Sequence, residues 1–112
     1  MEQPIYPVGT KEISQKRKDL APETLAAFQA FSHQVFADGA LPAKTKQLIA
    51  VAVAHVTQCP YCIRSHTKQA KLKGATEQEI MEAIWVAAEM RAGAAVAHSI
   101  LAIDAMSQNE AL

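Results

Sequence analysis

Through most of the chain apolar residues recur at three- and four-residue spacing, the period of helices with one buried side. From Pro22 the stripe Leu25, Phe28, Phe31, Ser32, Val35 and Phe36 predicts a helix that Asp38-Gly39 stops. Pro42 opens a second segment, AKTKQLIAVAVAHVTQ, whose alternation of Ala and Val between Ile49 and Val56 fits a strand as well as a helix. A third segment runs as a helix from Cys59-Pro60 to Lys73-Gly74, with Arg64, Lys68, Lys71 and Lys73 on its polar side and Gly74 just past its end. Thr76 to Glu79 (TEQE) forms a capping box ahead of the apolar run IMEAIWVAAEM, so a fourth helix starts there. Gly93 is expected to divide it from a last helix, Ala94 to Met106. Upstream, Met1 to Ala21 carries Pro4, Pro7, Gly9 and the basic run Lys16, Arg17, Lys18, which predicts an arm with one short helical turn near Glu12. The expected organisation is an arm over 1–21 and a helical domain over 22–112.

Composition narrows the class. The 112 residues suit one small domain, and half are hydrophobic, yet 22 are alanine and only six aromatic, so the apolar mass suits closely packed helices rather than a bulky sheet core. An all-α, multi-helix bundle follows. The last two helices are apolar around most of their circumference, with Ile84, Trp85, Val86, Met90, Val96, Ile100, Leu101 and Ile103. That is more than one small monomer buries, and a homo-oligomeric interface is the expected remedy. Eleven basic residues balance eleven acidic ones, so no broad positive surface is expected to track nucleic acid. No apolar stretch near the amino terminus resembles a secretory signal, and the longest uncharged stretches fall short of the roughly 18 to 20 continuous apolar residues of a membrane span. The expected compartment is the cytoplasm, where a cysteine pair points to redox chemistry or metal binding rather than a structural disulfide.

The one cluster of reactive side chains is His55-Val-Thr-Gln-Cys59-Pro-Tyr61-Cys62-Ile-Arg-Ser-His66. With Pro60 at the first helical position, Cys59 lies at the N-cap, where amides and the positive end of the helix favour a thiolate. His66 lies one turn after Cys62, so imidazole and sulfur share a face and can form an ion pair. The two-residue gap lets the sulfurs join across the first turn. Three other readings stay open or fall. Zinc held by Cys59, Cys62, His66 and either His55 or His98 competes, although a second ligand pair is missing. Haem attachment fails because Ile63, not histidine, follows Cys62. Two inert, buried thiols are a third option. His33 reads as a surface or packing histidine, and His98 either finds a core hydrogen bond or lines the pocket. Trp85 and the methionines read as core. A thioredoxin-like fold needs further strands and a proline facing the dithiol, and the sequence has no proline after Pro60.

Lys46-Gln-Leu-Ile-Ala-Val-Ala-Val-Ala-His55, Cys59-Pro-Tyr-Cys62-Ile-Arg-Ser-His66 and Lys73-Gly-Ala-Thr-Glu-Gln-Glu-Ile80 together resemble the AhpD-like alkylhydroperoxidase and carboxymuconolactone decarboxylase family, over about Phe28 to Met106. The Cys-x-x-Cys-x-x-x-His pattern between two helices resembles its peroxidase branch. The resemblance implies an all-helical domain assembled as a trimer or hexamer, which reduces organic hydroperoxides through the dithiol with a His and Glu proton relay. Where the family pattern carries that glutamate, twelve residues before the first cysteine, this chain has Gln47. An amide cannot take the proton, so a relay carboxylate must come from Glu82, Glu89 or another subunit, while Gln47 can still orient His66 or a water. Tyr61 stands where some members have histidine.

The expected activity is therefore a thiol peroxidase in which Cys62, helped by His66, attacks the peroxide and Cys59 closes the disulfide, with Gln47, His55, Tyr61 and His98 as relay or pocket candidates. A lipoyl or thioredoxin-like dithiol would restore the pair, and no cofactor or metal is expected. The alternatives are a decarboxylase acting on a small lactone acid and a non-catalytic, zinc-binding helical oligomer.

Overall fold

A computed structural model describes residues 5–108, which form five α-helices and, among the described residues, no strand. They fall into two compact units, one ending at Ala43 and the other beginning at Lys44.

In the first unit, α1 (Lys11–Leu20) packs against α2 (Pro22–Phe36). An arm with a single turn was expected where α1 stands. The helix forms because the Thr10 hydroxyl accepts the Ile13 amide at 3.2 Å, and neither proline nor glycine interrupts the good helix formers between Lys11 and Leu20. Gln15 adds an i,i+4 bond to Asp19 at 2.8 Å. Pro22 occupies the first turn of α2, where its missing N–H costs nothing. Beyond α2, the Asp38 carboxylate accepts the Ala43 amide at 2.7 Å, at the start of α3.

The second unit holds the chemistry. The segment that fitted strand or helix is α3 (Ala43–Thr57), a helix throughout. It has no strand to pair with, and its alanines favour the helix. Val51, fully buried, packs with Ala70 of α4 (Pro60–Leu72), with Ala75 and with Ile80 of α5 (Glu77–Ser107), while Leu48 and Ile84 close over them. Small side chains at the centre allow the helices to approach closely. Two adjacent caps fix the turn from α4 to α5. Gly74, at φ +95, donates its amide to Lys71 O, and Ala75 donates to Ala70 O, a Schellman closure whose left-handed residue favours glycine. Thr76 and Glu79 then exchange their capping-box bonds, at 2.8 and 3.1 Å. Lys44 pairs with the Glu79 carboxylate at 2.9 Å, tying the start of α3 to that of α5.

Gly93 does not divide α5, which runs unbroken for 31 residues. A glycine in a helix interior costs about 1 kcal/mol, and the alanines around it are the best helix formers. Continuous, α5 is long and apolar enough by length and composition to cross a membrane, which its two expected halves were not. Glu89 and Arg91 stand near its middle. Each charge there would cost roughly 2.5 to 3.5 kcal/mol at a bilayer centre.

Candidate active site

Residue 59 is where α3 ends and α4 begins. At the end of α3, Gln58 adopts φ +57, a left-handed conformation rare outside glycine, and the Cys59 amide turns back to Ala54 O at 3.2 Å. The same residue's side chain starts α4, since Cys59 Sγ accepts the Cys62 amide at 3.3 Å. One residue thus closes one helix with its backbone and opens the next with its sulfur. From α5, Arg91 reaches back to donate to Val56 O at 2.6 Å, holding the last turn of α3. Neither Gln58 nor Arg91 is marked in the sequence: a left-handed glutamine has no compositional signature, and Arg91 lies 35 positions from its acceptor.

Both cysteines are free and half-buried, with their sulfurs 2.8 Å apart. The distance alone allows either sulfur to donate to the other. The amide decides, because Cys62 N–H points at Cys59 Sγ at the positive end of a helix, so negative charge belongs on Cys59. The Cys59 thiol is accordingly held below its ordinary range, first by the hydrogen bond from the Cys62 side chain and then by backbone amides, which outweigh burial. Cys62 is pushed up, first by giving that bond, then by burial and by the neighbouring charge. Both directions favour a thiolate at Cys59 over Cys62, the sulfur chosen on helix spacing. A helix spacing that lets His66 share a face with Cys62 says nothing about where the Cys62 amide points.

His66, half-buried on α4, places Nδ1 2.8 Å from Gln47 Oε1 on α3. Gln47 is itself buried, at 5% exposure. With the amide oxygen as acceptor, Nδ1 carries the hydrogen, and a neutral imidazole keeps its lone pair on Nε2. His55 is fixed similarly, with Nδ1 2.7 Å from Val51 O one turn back on α3. Tyr61, between the cysteines, is 46% exposed.

The remaining candidates stand apart. His98 is exposed on the second half of α5, away from the core in which it was expected to bond, and the structure does not bring it to the cysteines. Glu82 and Glu89, considered for a relay, are exposed on α5. Trp85, read as core, is 68% exposed. Among the described residues no three His, Cys, Asp or Glu side chains gather as a metal site, so the zinc set built on Cys59, Cys62 and His66 with His55 or His98 does not form.

The model of the carboxymuconolactone decarboxylase family matches residues 22–105. A Paracoccus denitrificans protein described as uncharacterized protein 4 in the cox locus is 66% identical over 82 residues, covering 73% of this chain and 74% of the relative. An uncharacterized Haemophilus influenzae protein is 40% identical over 90 residues, 80% of each. Among solved structures, a carboxymuconolactone decarboxylase family protein from Legionella pneumophila superposes with TM-score 0.66 at 37% identity, over 72% of this chain and 75% of that one. A Methanobacterium thermoautotrophicum protein gives TM-score 0.68 at 36% identity, over 73% and 94%. A helical chain matched by the family model over three quarters of its length, with relatives of this fold among solved structures, belongs to the carboxymuconolactone decarboxylase family.

Proposed function

We propose that the protein is a thiol-dependent peroxidase of the AhpD-like kind, reducing hydroperoxides by cycling Cys59 and Cys62 between dithiol and disulfide. The observation that carries this reading is the pair of free sulfurs 2.8 Å apart at the start of α4, where the Cys62 amide donates to Cys59 Sγ. The Cys59 thiolate attacks the terminal oxygen of the hydroperoxide, the O–O bond breaks, and the alkoxide leaves and takes a proton from solvent. Cys59 is then a sulfenic acid. The Cys62 sulfur displaces its hydroxyl to form the disulfide, while Nε2 of His66, one turn along the same face, accepts the thiol proton and passes it to the departing hydroxide, which leaves as water. A dithiol reductant, lipoyl or thioredoxin-like, returns two electrons by exchange. No cofactor enters this scheme.

The test follows sulfenate by trapping in a single turnover. Cys62→Ser should still form it within one turnover, yet lose steady-state turnover by at least about a hundredfold. Cys59→Ser should form none. Sulfenate on residue 62 in the Cys59→Ser protein would reverse the assignment, and full turnover in the double variant would end the peroxidase reading. Decarboxylation of a small lactone acid, the reaction in the family's name, needs neither sulfur, so a decarboxylase activity surviving in that double variant would favour it.

We infer further that the exposed apolar residues of α5 meet other copies in a homotrimer or homohexamer, and that the protein works in the cytoplasm, where a resting dithiol stays reduced.

A further inference from the structure

Charge is unevenly distributed along this neutral chain. From Ala40 to Ala75, all of α3 and α4, there is no Asp or Glu, but there are six cations: Lys44, Lys46, Arg64, Lys68, Lys71 and Lys73. All eleven acidic residues lie outside this stretch. Two reach back to it from the start of α5, Glu79 onto Lys44 at 2.9 Å and Glu77 onto Lys71 at 3.8 Å, the latter an exposed and loose pair. Arg64 and Lys68 form no ion pair among the described residues.

The helix sorts these residues by face. Cys62, Ile63, His66, Thr67 and Ala70 turn inward to varying depth, whereas Tyr61, Arg64, Lys68 and Lys71 are exposed at spacings of three and four. An aromatic ring followed by three cations therefore runs outward from the dithiol for about 15 Å along α4. Cys59 Sγ sits where the stripe begins, at the positive end of the helix.

We infer that this stripe is the docking surface for the electron donor, and that the donor is a protein presenting its dithiol within an acidic surface. The inference rests on the redox reading given above. A small anion is satisfied by one or two cations in a concave site. Three cations spread along a convex helix suit an extended surface of opposite sign, whose attraction accelerates encounter and weakens with salt. In the exchange, one thiolate of the donor attacks the Cys59–Cys62 disulfide, and a mixed disulfide forms. The donor's second thiolate then releases it, so the donor leaves as a disulfide and both cysteines are reduced.

Two synthetic peptides test the inference on the full-length protein in its disulfide form: Glu-Glu-Cys-Gly-Pro-Cys-Glu-Glu and its counterpart with Lys in place of Glu. Each reduction rate is divided by that of dithiothreitol on the same sample, so damage to the site cancels. At low salt the acidic peptide should lead by about tenfold, and the lead should shrink to within about twofold at 0.5 M salt. The Arg64→Glu, Lys68→Glu protein should reverse the preference. Equal rates at low salt, or a preference untouched by the double reversal, overturn the inference. So does a salt-sensitive advantage seen only for a carboxylate-bearing fatty acid hydroperoxide, since the stripe then serves substrate. A disulfide that never forms, or that dithiothreitol cannot open, instead defeats the redox reading beneath it.

Discussion

Helices α4 and α5 solve the burial problem in opposite ways. The shorter one is divided cleanly, with Ala70 fully buried inside and Arg64, Lys68 and Lys71 outside, and both of its ends are capped within the chain. The longer one buries only Ile80 and Ala87, leaving Trp85, Val86, Met90, Val96, Ile100 and Leu101 each more than 60% exposed. The difference separates two tasks. Within its unit, α4 is finished and holds a defined sulfur geometry, whereas α5 is finished only on the side that meets α3 and α4.

Breaking α5 outward should have the largest effect. Trp85→Glu with Ile100→Glu should reduce the proposed assembly to monomer in sedimentation at micromolar concentration, a loss of affinity of about a hundredfold or more. A unit whose size is unchanged by both charges would show that α5 does not meet another copy. Inside, Val51→Ala removes a fully buried side chain and should cost about 2 kcal/mol in denaturant unfolding. The same truncation at Val96, 71% exposed, should cost under about 0.5 kcal/mol at protein concentrations where the chain is monomeric. Equal costs would erase the contrast between the two helices.

Smaller effects sharpen the picture at the cysteines. Gln58→Gly removes a side chain from a left-handed position and should stabilise the fold by about 1 kcal/mol, read as a higher melting temperature. Alkylation reports the sulfurs directly. Only the thiolate reacts, so the rate at Cys59 should climb through its midpoint below pH 9.0, the ordinary thiol value, and at Cys62 only above it. Mass spectrometry of partly alkylated protein distinguishes the two, and a Cys62 midpoint below that of Cys59 would return the thiolate to Cys62.

What the sequence disclosed was mostly local. The capping box at Thr76 and Glu79, Gly74 beyond α4 and Cys59 ahead of Pro60 each involve partners within five positions, so neighbours in sequence identify them. The helix α1 is also encoded locally, since Thr10 caps it and the run from Lys11 to Leu20 holds neither proline nor glycine, although Pro7 and Gly9 just ahead of it suggest an irregular arm. Gly93 misled because a single glycine is a weak break among alanines. The features that could not be read depend on distant contacts. Gln47 meets His66 across 19 positions and Arg91 meets Val56 across 35. The left-handed turn at Gln58 carries no mark in composition at all. His98 lies in an apolar sequence that suggests an interior, yet in the single chain it is exposed.

The double duty of Cys59 leaves no slack in the splice between α3 and α4. Adding one residue between Gln58 and Cys59 would part the Cys59 amide from Ala54 O and release the end of α3, while the bond from the Cys62 amide to Cys59 Sγ lies wholly beyond the insertion. Length at this joint therefore sets how the start of α4, with both sulfurs, is carried against the end of α3.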